Sequence, residues 1–573
     1  EDPVVQTVCG FNSVLTNQTL LNELRTDNDV TLSGLLTLSA IWDNHELSTN
    51  TFVVNQTQQR TQFSSGLERG EEIRDVQRSL LSWIERSLVA QQLIGSHDLQ
   101  WMKVEYRALL ARAARDAPDR RSYQFGKNQE QEQFLVQRGR GLERSYSFVK
   151  DDQLAYGLDL TFPLFEYWQG DNEESFLRPK LKVGFARQEV EREAGEQRFL
   201  WNISATGDPF IDSPEVVFDP ALTGTGLEFR DASILGADDY NGQATITGAF
   251  VQADVEIGDV LRLVGGVRWE RADFLVESFQ LAAQNSEIEP SGFEVENYLP
   301  AALLTWFALD DLQIRAAFGR SVSRPVLNEL APSFFFDPDS GQQYSGNPDL
   351  VQTVIDGFDA RVEWYPSTTE SVTLGVFRKE YDNPLEQTFQ AIGGGGIVAT
   401  FQNADNATVT GYELGGRTEL SRLRKWIGGP ALLDDIYLSA NVAILDSLVQ
   451  LESVGVATSA ERTLQGQADI VINAQAGYDG ETFDLTVAYN RVGERLQIVG
   501  VFENPDIVQD PLDTLDVNIS WEAFENAKVT LQGSNLLNPS IRLAQQVQGQ
   551  DELVFREFKR GRGVSLGLSY QFD

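Results

Sequence analysis

The sequence predicts an all-β fold, namely a transmembrane antiparallel β-barrel. Three observations predict it: apolar and polar residues alternate in one segment after another, short and long connections alternate between those segments, and aromatic residues cluster beside the short connections. Such alternation places apolar side chains on one face of a strand and polar side chains on the other. A barrel in a membrane needs both faces on every strand, because one faces lipid and the other a polar lumen.

The alternation is clearest at the C-terminal end, where Val564, Leu566 and Leu568 face one way and glycines and serines face the other. The same pattern recurs in 261–270, 312–318, 358–364, 436–444, 469–478, 483–490 and 515–521. A large soluble sandwich or solenoid is the alternative, but its inner face would not be polar so consistently. On the polar faces, the residues predicted to face the lumen are Arg268, Arg315, Arg361 and Glu363.

The connections predict the orientation of the barrel. Short ones lie at 43–46, 95–98, 256–259, 308–311, 366–368 and 479–480; long or polar ones lie at 116–145, 194–240, 271–296, 323–352, 383–406, 450–463 and 495–512. Outer-membrane barrels have short periplasmic turns and long extracellular loops. Aromatic residues near the short turns predict a girdle at the periplasmic interface, made of Phe307, Trp364, Tyr478, Phe483, Trp521 and Phe572. The pattern therefore predicts a multi-pass protein in the lipid of a Gram-negative outer membrane.

Composition excludes several other classes of protein. Lys and Arg total 46 against 85 Asp and Glu, a formal charge of −39, which argues against nucleic acid as a partner. Cys9 is the only cysteine, so an intrachain disulfide and a cysteine metal cluster are both excluded. Whether Cys9 is free, lipid-linked or paired with another chain stays open. The chain has no apolar run of about 18 residues, which excludes membrane-spanning helices.

The strand count predicts an incomplete barrel. About nineteen strands can be counted back from the C-terminal end to residue 17, and the first and last both run toward the short-turn side. Single-chain bacterial barrels have an even number of strands with both ends in the periplasm. We therefore expect further strands before residue 17. Residues 1–16 are interpreted as a loop or the end of a truncated strand region, and 17–573 as the barrel.

Several short motifs occur together in this chain. They are RPVLNEL at 324–330, GNPDL at 346–350, EWY at 363–365, GVFRK at 375–379, GYE at 411–413 and NLLN at 535–538, with ERxL at 85–88 and QLxGxH at 92–97 upstream. As a set, and over about 30–573, they resemble the barrel of TonB-dependent outer-membrane receptors. The resemblance implies about 22 strands when the barrel is complete. It also implies an N-terminal plug domain and a segment that binds the energy-coupling protein TonB, and we find neither.

The resemblance implies energy-coupled import of a scarce nutrient such as a ferric siderophore, a cobalamin or an oligosaccharide. The alternative is a structural or partner-binding barrel that does not transport and belongs to an envelope assembly with surface or periplasmic proteins. A plug and a TonB-binding segment would favour the transporter. An enzyme is not expected, because no nucleophile motif is present and neither His45 nor His97 is placed for a Ser/His pair.

Cargo would be captured in the long loops. The candidate binding residues lie in loop 323–352, and they are Phe334, Phe335, Phe336 and Tyr344. Packing of these rings among neighbouring loops is the alternative. No cofactor is expected, although the carboxylates of 208–239 are candidate ligands for Ca²⁺. Both histidines map to short turns, where we predict structural roles, and the sequence does not specify a metal.

Overall fold

The computed structural model describes most of the chain. The described residues are 2–9, 15–69, 73–128, 135–136, 142–164, 177–203, 227–231, 239–279, 289–336, 343–392, 396–451, 458–501, 504–524, 526–546 and 551–571. Over these ranges the protein is almost entirely β-strand, as the alternation predicts.

Within the described residues, nineteen strands follow one another in a single antiparallel sheet, each hydrogen-bonded to the next in chain order. These wall strands are Leu15–Trp42, His45–Arg69, Ile73–Asp98, Lys103–Asn128, Leu142–Pro163, Leu177–Ile203, Asp239–Ile257, Leu261–Phe279, Ser291–Leu309, Leu312–Ser323, Thr353–Trp364, Ser371–Asp382, Asn406–Glu419, Ile436–Gln450, Ile470–Asp479, Phe483–Val492, Leu512–Phe524, Ala527–Ser534 and Gly563–Tyr570. The predicted fold class is thus confirmed.

Shorter strands and helices accompany the wall strands. The strands are Asp2–Cys9, Leu135–Val136, Leu227–Asp231, Phe334–Phe336, Gln343–Ser345, Leu385–Ile392, Gly396–Asn403, Glu461–Arg462, Arg495–Ile498, Ile507–Gln509, Ser540–Gln545 and Leu553–Lys559. The helices are Leu327–Leu330, Leu420–Ile427 and the 3₁₀ turn Ala431–Asp435. Among the described residues, no helix is long and apolar enough to cross a membrane.

One end of the wall carries the short turns, at 43–44, 99–102, 258–260, 310–311, 366–369 and 480–482. The connection 420–435, with its two helices, is longer. One predicted turn is displaced: residues 95–98 belong to the strand Ile73–Asp98, and the chain turns four residues later. The glycine there is small for a packing reason, because a Cβ on Gly95 would collide with the ring of Tyr106.

The first wall strands continue far beyond the thickness of a bilayer. Leu15–Trp42 has 28 residues, whereas about 9–11 tilted residues cross a membrane. Most of 116–145, predicted as a polar connection, is therefore strand. Cross-strand ion pairs keep these polar segments paired. Arg120 lies 2.9 Å from the carboxylate of Glu143, and Arg144 lies 2.9 Å from the carboxylate of Asp119.

The two ends of the sheet form a seam. At the long-loop end of this seam, Asp2–Cys9 pairs with the start of Leu15–Trp42. It also contacts Leu553–Lys559 through the pair Val4 and Arg556. Below it, 24–42 and Gly563–Tyr570 are each paired on one edge only within the described part of the chain. These two edges run in the same direction, so they cannot pair with one another in antiparallel fashion.

The buried core lies inside the wall at its long-loop end. A small four-stranded sheet forms there from Phe334–Phe336, Gln343–Ser345, Gly396–Asn403 and Leu385–Ile392. Beside it, buried side chains from the polar face of the wall pack against loop residues, and the cluster comprises Ala194, Tyr240, Ala244, Ala272, Phe274, Val276, Leu327, Leu330, Ala331 and Leu350. This core positions the candidate site.

Candidate functional site at the barrel mouth

The mouth is the region where loop 323–352 and hairpin 385–403 fold inward over the upper inner face of the wall. The short helix Leu327–Leu330 anchors the loop, since both of its leucines are buried in the core cluster. The Glu329 carboxylate accepts a hydrogen bond of 2.9 Å from the backbone N–H of Val326, which satisfies a free donor at the helix start. Burial of Glu329 raises the pKa of its carboxyl group, and this hydrogen bond opposes the rise.

The GNPDL motif locks this helix in place. A Cβ on Gly346 would collide with the carbonyl oxygens of Ala331, Asn328 and Glu329, so only glycine allows the close approach of the two backbones. The next residue, Asn347, donates its backbone N–H to the Glu329 carbonyl at 2.6 Å. We call this contact of 324–331 with 346–350 the clasp.

The clasp also holds the hairpin. The side-chain amide of Asn347 donates to the carbonyl of Phe401 at 2.9 Å. The amide of Asn403 donates to the carbonyls of Val351 and Asn383 at 3.0 and 2.8 Å, and its oxygen accepts the N–H of Val351 at 2.9 Å. Loop 323–352 and hairpin 385–403 therefore form one hydrogen-bonded unit.

A buried ion pair fixes the other side of the hairpin. The guanidinium of Arg462 contacts the carboxylate of Glu386, and their side chains are only 3% and 2% exposed. Within the described residues, Nε and Nη1 of Arg462 and Oε1 of Glu386 have no hydrogen-bond partner. Burial raises the pKa of the Glu386 carboxyl, while Arg462 acts in the opposite direction. Sequence reasoning missed this pair because both residues lie in connections without a repeating pattern.

Below the mouth, the inner face carries paired charges. The Glu363 carboxylate lies 3.1 Å from Arg315 and 3.0 Å from Arg361, and it accepts a hydrogen bond of 3.1 Å from the hydroxyl of Tyr365. The structure thus brings together three of the four residues predicted to face the lumen. They meet because the strands Leu312–Ser323 and Thr353–Trp364 place Arg315 directly opposite Arg361.

A second cluster surrounds the fourth predicted residue. Arg268 and Arg324 each contact the Glu270 carboxylate, at 2.7 and 2.8 Å. Arg324 opens the RPVLNEL motif, so this ion pair connects the clasp to the wall. Neither Glu270 nor Arg324 was among the predicted site residues, although the alternation places Glu270 on the same face as Arg268.

The family profile described as the β-barrel of TonB-dependent receptor-like proteins matches residues 16–536. The chain belongs to the TonB-dependent receptor family. It is therefore a β-barrel of the Gram-negative outer membrane, with its short-turn end in the periplasm and its mouth at the cell surface.

Solved structures share the fold at low sequence identity. The siderophore receptor PiuA of Acinetobacter baumannii is 13% identical, with a TM-score of 0.55 over 100% of this chain and 81% of its own. The ferric yersiniabactin uptake receptor FyuA of Yersinia pestis is 10% identical, with a TM-score of 0.54 over 100% and 80%. The ferric-catecholate import receptor Fiu of E. coli K12 is 11% identical, with a TM-score of 0.57 over 100% and 82%. A search of curated protein sequences finds no significant match.

In this TonB-dependent receptor, the predicted cargo residues lie in the small sheet of the mouth. Phe334, Phe335 and Phe336 form the strand that pairs with Gln343–Ser345. Phe334 is half-buried. Tyr344 is 9% exposed and stacks on Phe401 with ring centroids 6.0 Å apart, so its ring takes part in loop packing. A cargo-binding role for these four residues stays a prediction.

The predicted girdle is partly reassigned. Trp364, Tyr478 and Trp521 lie opposite apolar residues of the neighbouring strands on the outer face. Phe307 is different, because it lies opposite Gln313 on the polar face, and Trp306 is the exposed outer aromatic. Pairing is regular as far as Phe307, so the alternation of the strand places Phe307 on the same face as Thr305, which lies opposite Arg315. Phe572 lies outside the described residues.

The predicted Ca²⁺ ligands fall mostly outside the described residues, which include only 227–231 and Asp239 of the 208–239 segment. The Asp239 carboxylate accepts the backbone N–H of Glu196 at 3.2 Å. Within the described ranges, no group of three or more His, Cys, Asp or Glu side chains could hold a metal ion. Calcium binding in the loops stays a prediction.

Proposed function

We propose that this protein imports a scarce nutrient across the outer membrane, using energy delivered by TonB from the inner membrane. The observation that carries the proposal is the mouth: two connections fold inward and are joined by the clasp over a polar, charge-paired inner face. A barrel that served only as a scaffold would not need two connections folded inward over a polar inner face. The proposed activity is binding and transport rather than catalysis.

Among the cargo classes, we place a ferric siderophore first, and a cobalamin or an oligosaccharide after it. Support comes from the three similar structures, which are described as receptors for a siderophore, for ferric yersiniabactin and for a ferric catecholate. Aromatic residues at 334–336 also suit a chelate with aromatic or apolar groups, since rings bury large apolar area in a binding site.

An uptake assay tests the proposal. The full-length gene is expressed in a Gram-negative strain without its own receptors for the cargo, and ⁵⁵Fe-siderophores, labelled cobalamin and labelled oligosaccharides are supplied separately. We expect accumulation of one class, lost when TonB is deleted. If the protein reaches the membrane in normal amount and no class accumulates in a TonB-dependent manner, the proposal is wrong, and the scaffold alternative gains support.

A variant in the mouth tests the cargo residues. Replacing Phe334, Phe335 and Phe336 together by alanine is expected to weaken cargo binding by about 10- to 100-fold, as loss of a central aromatic anchor does. Phe279→Ala is the matched control, because this ring is exposed on the outer face of the wall, whereas the mouth lies over the inner face. Equal affinities for the two variants would remove these residues from the binding site.

A further inference from the structure

The chain contains only two histidines, and the fold brings them together. His45 and His97 are 52 residues apart, yet they lie directly opposite each other on the neighbouring strands His45–Arg69 and Ile73–Asp98. Their Nδ1 atoms are 3.1 Å apart and their ring centroids 5.1 Å apart. Both side chains are partly exposed at the periplasmic end of the wall, where Trp42 lies beside them with ring centroids 5.5 and 6.4 Å away.

A neighbouring tyrosine offers a hydrogen-bond partner to the second nitrogen of one imidazole. The hydroxyl of Tyr106 lies 3.3 Å from Nε2 of His97. When the Nε2–H donates to this oxygen, Nδ1 of His97 keeps its lone pair and points it toward His45. The ring of Tyr106 reaches this position because residue 95 is glycine, as a Cβ there would collide with the ring. A metal-ligating imidazole usually donates its other N–H to an oxygen acceptor, and the Tyr106 hydroxyl can serve as one here.

We propose that His45 and His97 bind one divalent transition-metal ion through their Nδ1 atoms at the periplasmic surface of the barrel. Two imidazole nitrogens about 2.0–2.1 Å from one ion, at tetrahedral or cis-octahedral angles, are roughly 2.9–3.4 Å apart. The observed 3.1 Å lies within that range. On binding, the proton of His45 moves from Nδ1 to Nε2, and water completes the coordination sphere. No electron transfer is involved.

The ligand chemistry indicates which ion binds best. Imidazole suits Cu²⁺, Ni²⁺ and Zn²⁺, and for a given site Cu²⁺ binds most tightly of the three. The described residues offer no third His, Cys, Asp or Glu at this place, so the site is a two-histidine chelate with open positions. Because it crosslinks adjacent strands, the ion also stabilises the hairpins that end there.

A Cu²⁺ titration tests this site. The tag-free, full-length protein in detergent is titrated with CuSO₄, and binding is followed by electron paramagnetic resonance. We expect one Cu²⁺ per chain with splitting from two imidazole nitrogens. His45→Asn and His97→Asn are each expected to weaken binding at least about tenfold and to leave one nitrogen in the spectrum. Tyr106→Phe, which removes only the orienting hydroxyl, is expected to weaken binding about tenfold.

The controls make the outcome decisive. The double variant His45→Asn, His97→Asn has no histidine left within residues 1–573, so it measures binding by all other groups, and Cys9→Ser removes the one thiol of these residues. The heat-dependent gel mobility of each variant shows that the barrel remains folded. If the unaltered protein and the double variant give the same spectrum and the same affinity, the two histidines are joined only by a hydrogen bond and the proposal is wrong.

Discussion

Removal of Arg462 is expected to release hairpin 385–403. The substitution Arg462→Met keeps the length of the side chain but leaves the Glu386 carboxylate buried without its cation, since the two side chains are 3% and 2% exposed. Breaking a buried pair by removing one partner costs about 3–5 kcal/mol. At 1.36 kcal/mol per factor of ten, this is roughly a 10²- to 10⁴-fold increase in the opening of the hairpin. The full effect is expected at neutral pH. In acid, the Glu386 carboxyl group of the variant can bind a proton, and a neutral carboxyl costs less free energy to bury than an unpaired carboxylate.

Hydrogen exchange measured by mass spectrometry is the suitable assay, with the protein in lipid nanodiscs and peptides from 385–403 followed. The matched control is Arg378→Met. Its partner Glu380 lies at 2.8 Å, but the two side chains are 55% and 50% exposed. An exposed pair contributes about 0–1 kcal/mol, so protection in the control should change by less than about tenfold.

The double variant Arg462→Met, Glu386→Leu separates the charge from the packing. Three polar atoms of this pair have no hydrogen-bond partner within the described residues. Replacement of such a pair by apolar side chains is often neutral or stabilising. We therefore expect protection in the double variant to return to at least the level of the unaltered protein. Protection that stays low in the double variant, or an unchanged single variant, would refute this reasoning.

Three further predictions concern single positions. The folded-state pKa of Glu386 is raised above its ordinary value of 4.5, so protonation of this carboxyl group stabilises the folded hairpin. This stabilisation is fully present below pH 4.5 and is lost as the pH rises through the raised pKa. Glu386→Gln should abolish this pH dependence of hairpin exchange. Gly346→Ala should open the clasp and make loop 323–352 sensitive to protease, whereas Gly34→Ala, where a Cβ meets no atom within 4 Å, should not. Trp364→Phe removes the 2.9 Å hydrogen bond to Asp311 and should lower the free energy of unfolding in urea by about 0.5–1.5 kcal/mol; an unchanged midpoint would contradict it.

The wall was predictable wherever its two faces meet different surroundings. Alternation identifies strands such as 261–270 and 312–318 because lipid lies on one side and polar groups on the other. The position of Arg315, Arg361 and Glu363 on the polar face was predictable for the same reason. Their meeting in one cluster was not, because the long loop 323–352 joins the two strands and only the folded sheet sets the register that places Arg315 opposite Arg361.

Prediction failed where polar residues predominate in a strand. Most of 116–145 is paired strand, but its few apolar residues do not form a period that can be read from the sequence, and ion pairs such as Arg120 with Glu143 join the strands. Hairpin 385–403 was missed because its partners lie in distant loops. Its polar contacts, such as Asn403 with Val351, depend on tertiary structure that no local pattern encodes.

The histidine pair shows a third limit. Both histidines were predicted in short turns, at 43–46 and 95–98, but each lies in a strand beside a short turn. The second turn was predicted at 95–98 because Gly95 and Ser96 have the composition of a turn. With that error, His97 could not be assigned to the strand position opposite His45. The glycine is there to accommodate the ring of Tyr106, which is a packing requirement between strands and has no signature along the chain.

The long-loop end of the wall is built unequally, and this has a consequence for cooperativity. Between residues 15 and 128 it consists of strands of 25 to 28 residues that continue from the wall without a break. On the 495–559 side it consists of separate strands of three to seven residues beyond the wall strands, namely Arg495–Ile498, Ile507–Gln509, Ser540–Gln545 and Leu553–Lys559. A long hairpin opens as one unit at high free energy, whereas short segments joined by loops open individually at low free energy. When a ligand binds, we therefore expect the structural change to be largest on the 495–559 side. The long strands of residues 15–128 are expected to keep their positions.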